Sequence, residues 1–356
     1  MSYGNAVSYL SNAAGTDLTS LALKIYSGVF MDAYRNQPKL WTRPSPGIHR
    51  QVSASGSKSY QWLKFADTPN ADEDYHPGEE LLGQGFAVDE GTNTVDSGYI
   101  VAHHKIPRYD MQVGHFEIMT RLAMADARQI GMVGDRRTFA TCALAARQTS
   151  AITKNGLTVD TGGNRVTRTD AGGVTAAYPL SSTGATNFRN DLRALAYAMD
   201  IDNIPRESRE LWITPYMEQV LLYDNSMQLF SKDFQFDGMG NRVNERQVRL
   251  IEGFKLVETV NTVSDGGSFP NTNVTTGPTR YQGNFTPQAG NGTPVALVLS
   301  GGSDGTGAIS IGTWDNVANN VLYVPQEMCY FVHSGILSGI SAMNFSCAGS
   351  IEVIAS

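Results

Sequence analysis

The residues with the greatest chemical potential are two adjacent histidines, His103 and His104, in the run GYIVAHHKI, with His115 further on. Imidazole is the commonest protein ligand for a transition metal. Neighbouring residues of an extended strand point to opposite faces, however, so this pair cannot chelate one ion together and a structural role is expected for both. The acidic run Asp72-Glu73-Asp74 lacks the alternating ligands and central glycine of a calcium loop and reads as a solvated turn. The segment GGSDGTG at 301–307 follows the strand-like VALVLS, as a phosphate loop would. It carries neither G-x-x-x-x-G-K-[ST] nor G-x-G-x-x-G, and AISIG after it reads as another strand, so a hairpin turn is expected. The G-x-S-x-G spelled within GGSDGTG falls in that expected hairpin turn and not at a strand-to-helix elbow, and no H-E-x-x-H is present. The sequence therefore offers no catalytic constellation, no metal site and no call for a cofactor.

Composition points the same way. The 356 residues suffice for two lobes around a sizeable core. Apolar residues make up 41% and charged residues only 17%, which leaves less charged surface than an isolated soluble monomer carries and implies surfaces covered by partners. A net charge of −7 without a basic tail disfavours tight nucleic-acid binding. Cys142, Cys329 and Cys347 sit among apolar or small residues without C-x-x-C spacing and are expected to be reduced packing residues. The N-terminus has no basic region leading into an apolar run, and no apolar stretch approaches membrane-spanning length, so neither export by signal peptide nor a membrane anchor is expected.

The elements that would position such residues are uneven along the chain. In residues 1–47, Leu21, Leu23, Ile25, Val29, Phe30 and Tyr34 suit a short amphipathic helix ending before Pro38, followed by the proline-stiffened connector WTRPSPG. In SYQWLKF, Tyr60, Trp62 and Lys64 alternate with Gln61, Leu63 and Phe65, as in a strand with two distinct faces. An acidic tip with Glu79 and Glu80 then turns into a second extended run, giving a long hairpin without a core of its own. From about Gln112 to Gln148 the period becomes helical, with Phe116, Met119, Ala123, Ala127, Ile130, Phe139, Cys142 and Ala146 on one stripe. Glu117, Arg121, Arg128, Asp135 and Arg136 are expected opposite it. In residues 150–186 the alternation from Arg165 to Thr169 suggests a small hairpin or flap. Helices and strands alternate from 186 to 263, with Thr214 capping a helix that begins at Pro215 and strands broken at Gly253. The last third is strand-like.

This order of parts resembles the major capsid proteins of short-tailed, double-stranded DNA phages, whose fold is shared with encapsulin shells. The resemblance rests on the arm (Leu21 to Arg35), the hairpin opening Ser55-Gly56-Ser57-Lys58-Ser59 and running through Trp62, Pro77-Gly78-Glu79-Glu80-Leu81, the long helix, Ile251 to Val257, and Tyr330 to His333. It implies an α+β fold divided as arm 1–47, extended hairpin loop 48–96, peripheral domain 97–185 with a spine helix at 112–148, axial domain 186–325, and C-terminal strands 326–356 returning to the peripheral domain. The glycine-rich stretch from Gly266 to Gly307 departs from the pattern. Implied partners are the chain itself in hexamers and pentamers, portal and scaffolding proteins, a cement protein, and packaged DNA touched at most non-specifically, with no membrane. The implied location is the virion, assembled in the host cytoplasm, after a precursor shell has rearranged into a larger mature one.

Assembly through many weak contacts suits such excursions. The expected interface anchors are Tyr60, Trp62, Leu63 and Phe65, against the plainer reading of Trp62 and Phe65 as local packing. Glu79 and Glu80 would meet Arg121, Arg128, Arg136 or Arg137 of a neighbour. Lys58 and Lys64 also lie in the hairpin, although a lysine there does not establish a covalent cross-link. The alternatives are an encapsulin-type compartment shell and, from a different class, a β-rich surface-binding or adhesin protein suggested by the Gly/Thr/Asn-rich strands.

Overall fold

The computed structural model describes residues 26–33, 40–52, 58–66, 76, 85–109, 117–223, 250–259, 278–285, 292–302, 306–313 and 318–355. In chain order the first half contains helix α1 (26–33), β1 (Ile48–Val52), β2 (Ser59–Phe65), β3 (Val88–Thr94), β4 (Ile100–Pro107), α2 (Glu117–Arg147), β5 (Ile152–Lys154), β6 (Leu157–Asp160) and β7 (Asn164–Thr169). Then come α3 (Ser182–Ile201), β8 (Glu210–Ile213), α4 (Pro215–Leu222), β9 (Leu250–Ile251), β10 (Phe254–Glu258) and β11 (Gly292–Leu299). The chain closes with β12 (Ile309–Thr313), β13 (Ala318–Val324), β14 (Cys329–Ile336), β15 (Ser338–Ala342) and β16 (Ala348–Ile354).

A six-stranded mixed sheet, ordered β7-β16-β11-β8-β10-β9, lies between α2 and α3. Its interior strands β11 and β16 are buried almost end to end, as covering a sheet on both faces requires. Successive residues of β16 face opposite helices. Gly349 lies against Leu195 of α3, whereas Glu352 meets Arg147 of α2. Phe139 of α2 packs edge-on to Trp212 of β8, with ring centroids 5.6 Å apart.

Helix α2 spans 31 residues, about 46 Å at the usual rise per residue. Ala123, Ala127, Ile130, Phe139, Cys142 and Ala146 of the expected stripe are buried. Asp135 corrects the expected outer face. It is fully buried, and one carboxylate oxygen accepts the backbone N–H groups of Leu40 (3.2 Å) and Trp41 (2.6 Å). Two orphan amides of the proline-stiffened connector thus find an acceptor on the helix.

Local signals beyond the spine are realised closely. The Thr214 hydroxyl accepts the N–H of Met217 (3.4 Å), with Pro215 opening α4. Strands β9 and β10 break at Glu252 and Gly253, both with positive φ (46° and 85°). Long-range pairing was less legible. Strand 164–169 does not form the small hairpin; it runs parallel to β16 at the edge of the main sheet, while the local hairpin is β5–β6. Gly301 and Gly307 form the expected antiparallel bridge, but β11 and β12 then diverge into different sheets. Strand β12 pairs with β1 in parallel and with β15 antiparallel. Strand β14 lies between β4 and β13 and packs on α2, where the returning strand was expected. The six-stranded sheet draws on residues from both sides of the boundaries expected at 186 and 326. Its pairing partners lie too far apart in sequence for local pattern to reveal.

Candidate assembly surfaces

Strands β2 and β3 form an antiparallel pair with Trp62 opposite Gly91 and Lys64 opposite Asp89. Alternation gives β2 two faces with different surroundings. On the inner face the Tyr60 hydroxyl donates to the Thr313 carbonyl (2.9 Å), and its ring lies on Gly312, where a Cβ would collide. Trp62 is half-buried, its indole seated on Gly91. Lys64 is buried and paired with Asp160 at 2.9 Å, and its ammonium lies 5.3 Å from the Phe345 ring centre.

Asp160 is the post to which the hairpin is tied. Besides Lys64, its carboxylate accepts the backbone N–H groups of Gly162 (3.1 Å), Phe345 (2.8 Å) and Ser346 (3.0 Å). Asn93 of β3, fully buried, donates to the carbonyls of Ser310 and Gly339, both at 3.1 Å. Just beyond β3, Asp96 accepts from Arg280 and from the Tyr281 hydroxyl (2.8 Å) and lies 3.6 Å from Arg137. Burial raises the Tyr281 hydroxyl pKa well above its ordinary value, so it remains a donor.

The large apolar side chains on the outer face of β2 are exposed. Leu63 is 57% exposed and Phe65 67%, and Phe86, shortly before β3, is 76% exposed. Large side chains so exposed and so close together form an apolar surface patch and not part of a core. Of the expected anchors, Tyr60 and Trp62 therefore pack on their own chain, while Leu63 and Phe65 face outward. Lys58 is exposed at the foot of the hairpin. Glu79, Glu80 and the acidic run 72–74 lie outside the described residues.

The arginines of α2 divide similarly. Arg121 and Arg128 are exposed, Arg136 is half-buried, and Arg137 is half-buried beside Asp96 with its guanidinium 5.2 Å from the Tyr281 ring centre. Burial lowers the Arg136 pKa without removing its charge under ordinary conditions. A cleft of about 520 Å³ opens between α2 and the foot of the hairpin, bordered by Thr92, Thr94, Leu144, Gln148, Arg280 and Phe345.

Helix α1 of the arm is also tied down. Tyr26 and Phe30 of α1 are buried, and the Tyr26 hydroxyl donates to Asp126 of α2 (2.6 Å) and lies 2.7 Å from Ser334 Oγ. The other Asp126 oxygen lies 2.5 Å from His104 Nε2. The hairpin, expected to have no core of its own, is thus anchored on its own chain at its root, and so is α1 of the arm. Leu21, Leu23, Ile25 and Tyr34 lie outside the described residues.

Sequence reasoning missed the buried charges that hold these parts together. Glu352, at the centre of the main sheet, is fully buried between Arg147 (2.9 Å) and Arg165 (2.7 Å). One legible signal was an acidic residue inside the apolar strand SIEVIAS. The three cysteines are free and buried, and burial raises the Cys142 thiol pKa far above its ordinary value. No group of three or more His, Cys, Asp or Glu side chains placed to hold a metal occurs among the described residues, and no helix among them is long and apolar enough to cross a membrane.

No protein-family model matches the chain, and no curated protein matches it. Solved structures do. The chain is similar to the capsid structure of the cyanophage P-SCSP1u, at 20% identity and a TM-score of 0.66, covering 87% of this chain and 86% of that one. It is similar to the mature capsid of bacteriophage PhiM1, at 13% identity and a TM-score of 0.64, covering 87% of each chain. A structure from Mycobacterium phage Ogopogo matches at 12% identity and a TM-score of 0.54, over 89% of this chain and 92% of that one. At these identities the likeness establishes architecture: the chain has the α+β fold of tailed-phage capsid proteins.

Proposed function

We propose that this chain is the major capsid protein of a short-tailed, double-stranded DNA phage, a coat subunit that builds hexamers and pentamers of an icosahedral head. The observation that carries the reading is the fold likeness to two phage capsid structures along nearly the whole of each chain. The two-faced hairpin adds to it: an anchored inner side holds out Leu63, Phe65 and Phe86 with no cover from their own chain. These residues would dock on a sister subunit, and Arg121 and Arg128, exposed on the spine helix, would face the acidic hairpin tip of a neighbour. Arm, hairpin loop, peripheral domain, axial domain and returning strands then divide the chain near residues 47, 96, 185 and 325. Portal, scaffolding and cement proteins are the partners this reading implies, with assembly in the host cytoplasm and residence in the virion.

Expression of the full chain, followed by sedimentation and negative-stain microscopy, tests the proposal. Closed particles or capsomers are expected. A discrete monomer or trimer that persists at high concentration and binds a glycan would overturn the reading in favour of a surface-binding protein. Terminase and portal genes beside the coding sequence would distinguish a phage head from a cargo compartment.

A further inference from the structure

We propose that His103 and His333 form a site for a divalent transition-metal ion on the outward face of the β13-β14-β4 sheet. The adjacent pair His103-His104 cannot chelate, and the structure shows why: His104 turns inward to Asp126, whereas His103 turns out. Strand pairing supplies His103 with a different partner. In the antiparallel register His103 is directly opposite His333, and His333 is directly opposite Asn320 of β13.

Register partners share a face, so the two imidazoles and one amide stand in a row across three strands. Cβ atoms of directly opposed residues lie about 4.5–5.5 Å apart. From that spacing two ring nitrogens can converge on one ion at about 2.0–2.1 Å. None of the three side chains has a hydrogen-bond partner among the described residues, and His333 Nδ1 is buried without one. A buried polar atom left unpaired is costly, and an ion that took Nδ1 as its ligand would remove that cost.

The surroundings suit the ion. The Phe331 ring, on the same face, lies 6.0 Å from the His103 ring and 5.5 Å from the His333 ring, walling one side of the site. Lys105 is the nearby cation on this face of β4, and its ammonium is engaged by Glu327 at 2.7 Å. Two imidazoles with an amide oxygen select zinc, nickel or copper over magnesium or calcium, which prefer all-oxygen shells. Coordination positions remain for water, so the ion would exchange readily, unlike one in a closed structural zinc site.

Calorimetric titration of the full-length chain with ZnCl2 and with NiCl2 at neutral pH, with MgCl2 as control, tests the site. One Zn2+ or Ni2+ per chain is expected, with no Mg2+ heat and weaker binding as the pH is lowered, because ligation requires neutral imidazole. His103→Ala and His333→Ala should each weaken binding at least about tenfold, whereas His76→Ala, altering another exposed histidine, leaves it unchanged. Should His333→Ala fail to fold, the exposed His103→Ala and His103→Gln variants carry the same comparison. Absence of Zn2+ and Ni2+ binding to the parent chain, or binding unaltered by loss of His103, overturns the proposal. Neither result bears on whether the chain builds shells.

Discussion

The two faces of strand β2 carry side chains of comparable size and have opposite surroundings. Tyr60, Trp62 and Lys64 lie on the chain's own β12, β3 and Asp160, while Leu63 and Phe65, one residue out of phase, stand in solvent. An excursion destined for a neighbour must still be aimed, and aiming it needs rigid attachment at the root. On the proposed reading the inner face supplies the aim and the outer face would supply the contact. A hairpin loose on both faces would lose far more conformational freedom on docking.

Substitutions on the two sides should therefore separate folding from assembly. The largest effect on the subunit is expected from Asp160→Ala, which leaves Lys64 buried without its countercharge and three backbone amides without an acceptor. A loss of about 3–5 kcal/mol, read from urea unfolding, is the expectation. Asn93→Ala, which strands the Ser310 and Gly339 carbonyls, should cost about 1–3 kcal/mol in the same assay. Tyr60→Phe removes one hydrogen bond and keeps the ring on Gly312, so about 1 kcal/mol is expected.

A smaller, pH-dependent effect belongs to a site remote from the hairpin. The Arg206 hydrogen bond holds the Asp200 carboxyl below its ordinary value; Arg209 assists, and desolvation opposes them. The sign follows: its stabilisation is complete above the unfolded-state value, about 3.9, and is lost as the pH falls through the lower folded-state value. Asp200→Asn should flatten that part of the acid limb in urea midpoints collected below about pH 5. The same substitution should leave assembly through the hairpin intact.

Much of this contrast was written in local pattern. Period-two alternation separated Tyr60, Trp62 and Lys64 from Gln61, Leu63 and Phe65, and the three- and four-residue spacing of Ala123, Ala127 and Ile130 marked the spine's inner stripe. Thr214-Pro215 and Gly253 were likewise legible because caps and turns are decided by near neighbours. Alternation could not say which face of β2 was inward, since the decisive partners, Asp160, Thr313 and Phe345, lie far along the chain. Asp135 was misplaced for the same reason: an acidic residue on a helix reads as solvated until the amides of Leu40 and Trp41 arrive. The position of 164–169 beside β16 depended on closing a loop of about half the chain. Removing residues 55–85 as a block would delete Lys64 with the tip, confounding folding with assembly, so point changes on the outer face are the sharper tool.

The most direct test is a comparison of the parent chain with the Leu63→Ser/Phe65→Ser double variant by sedimentation velocity and negative-stain microscopy, with urea unfolding in parallel. Unchanged subunit stability, to within about 0.5 kcal/mol, together with loss of closed particles, is the predicted result. Normal particles from a variant confirmed to carry both substitutions would contradict the assignment of the outer hairpin face to subunit contact.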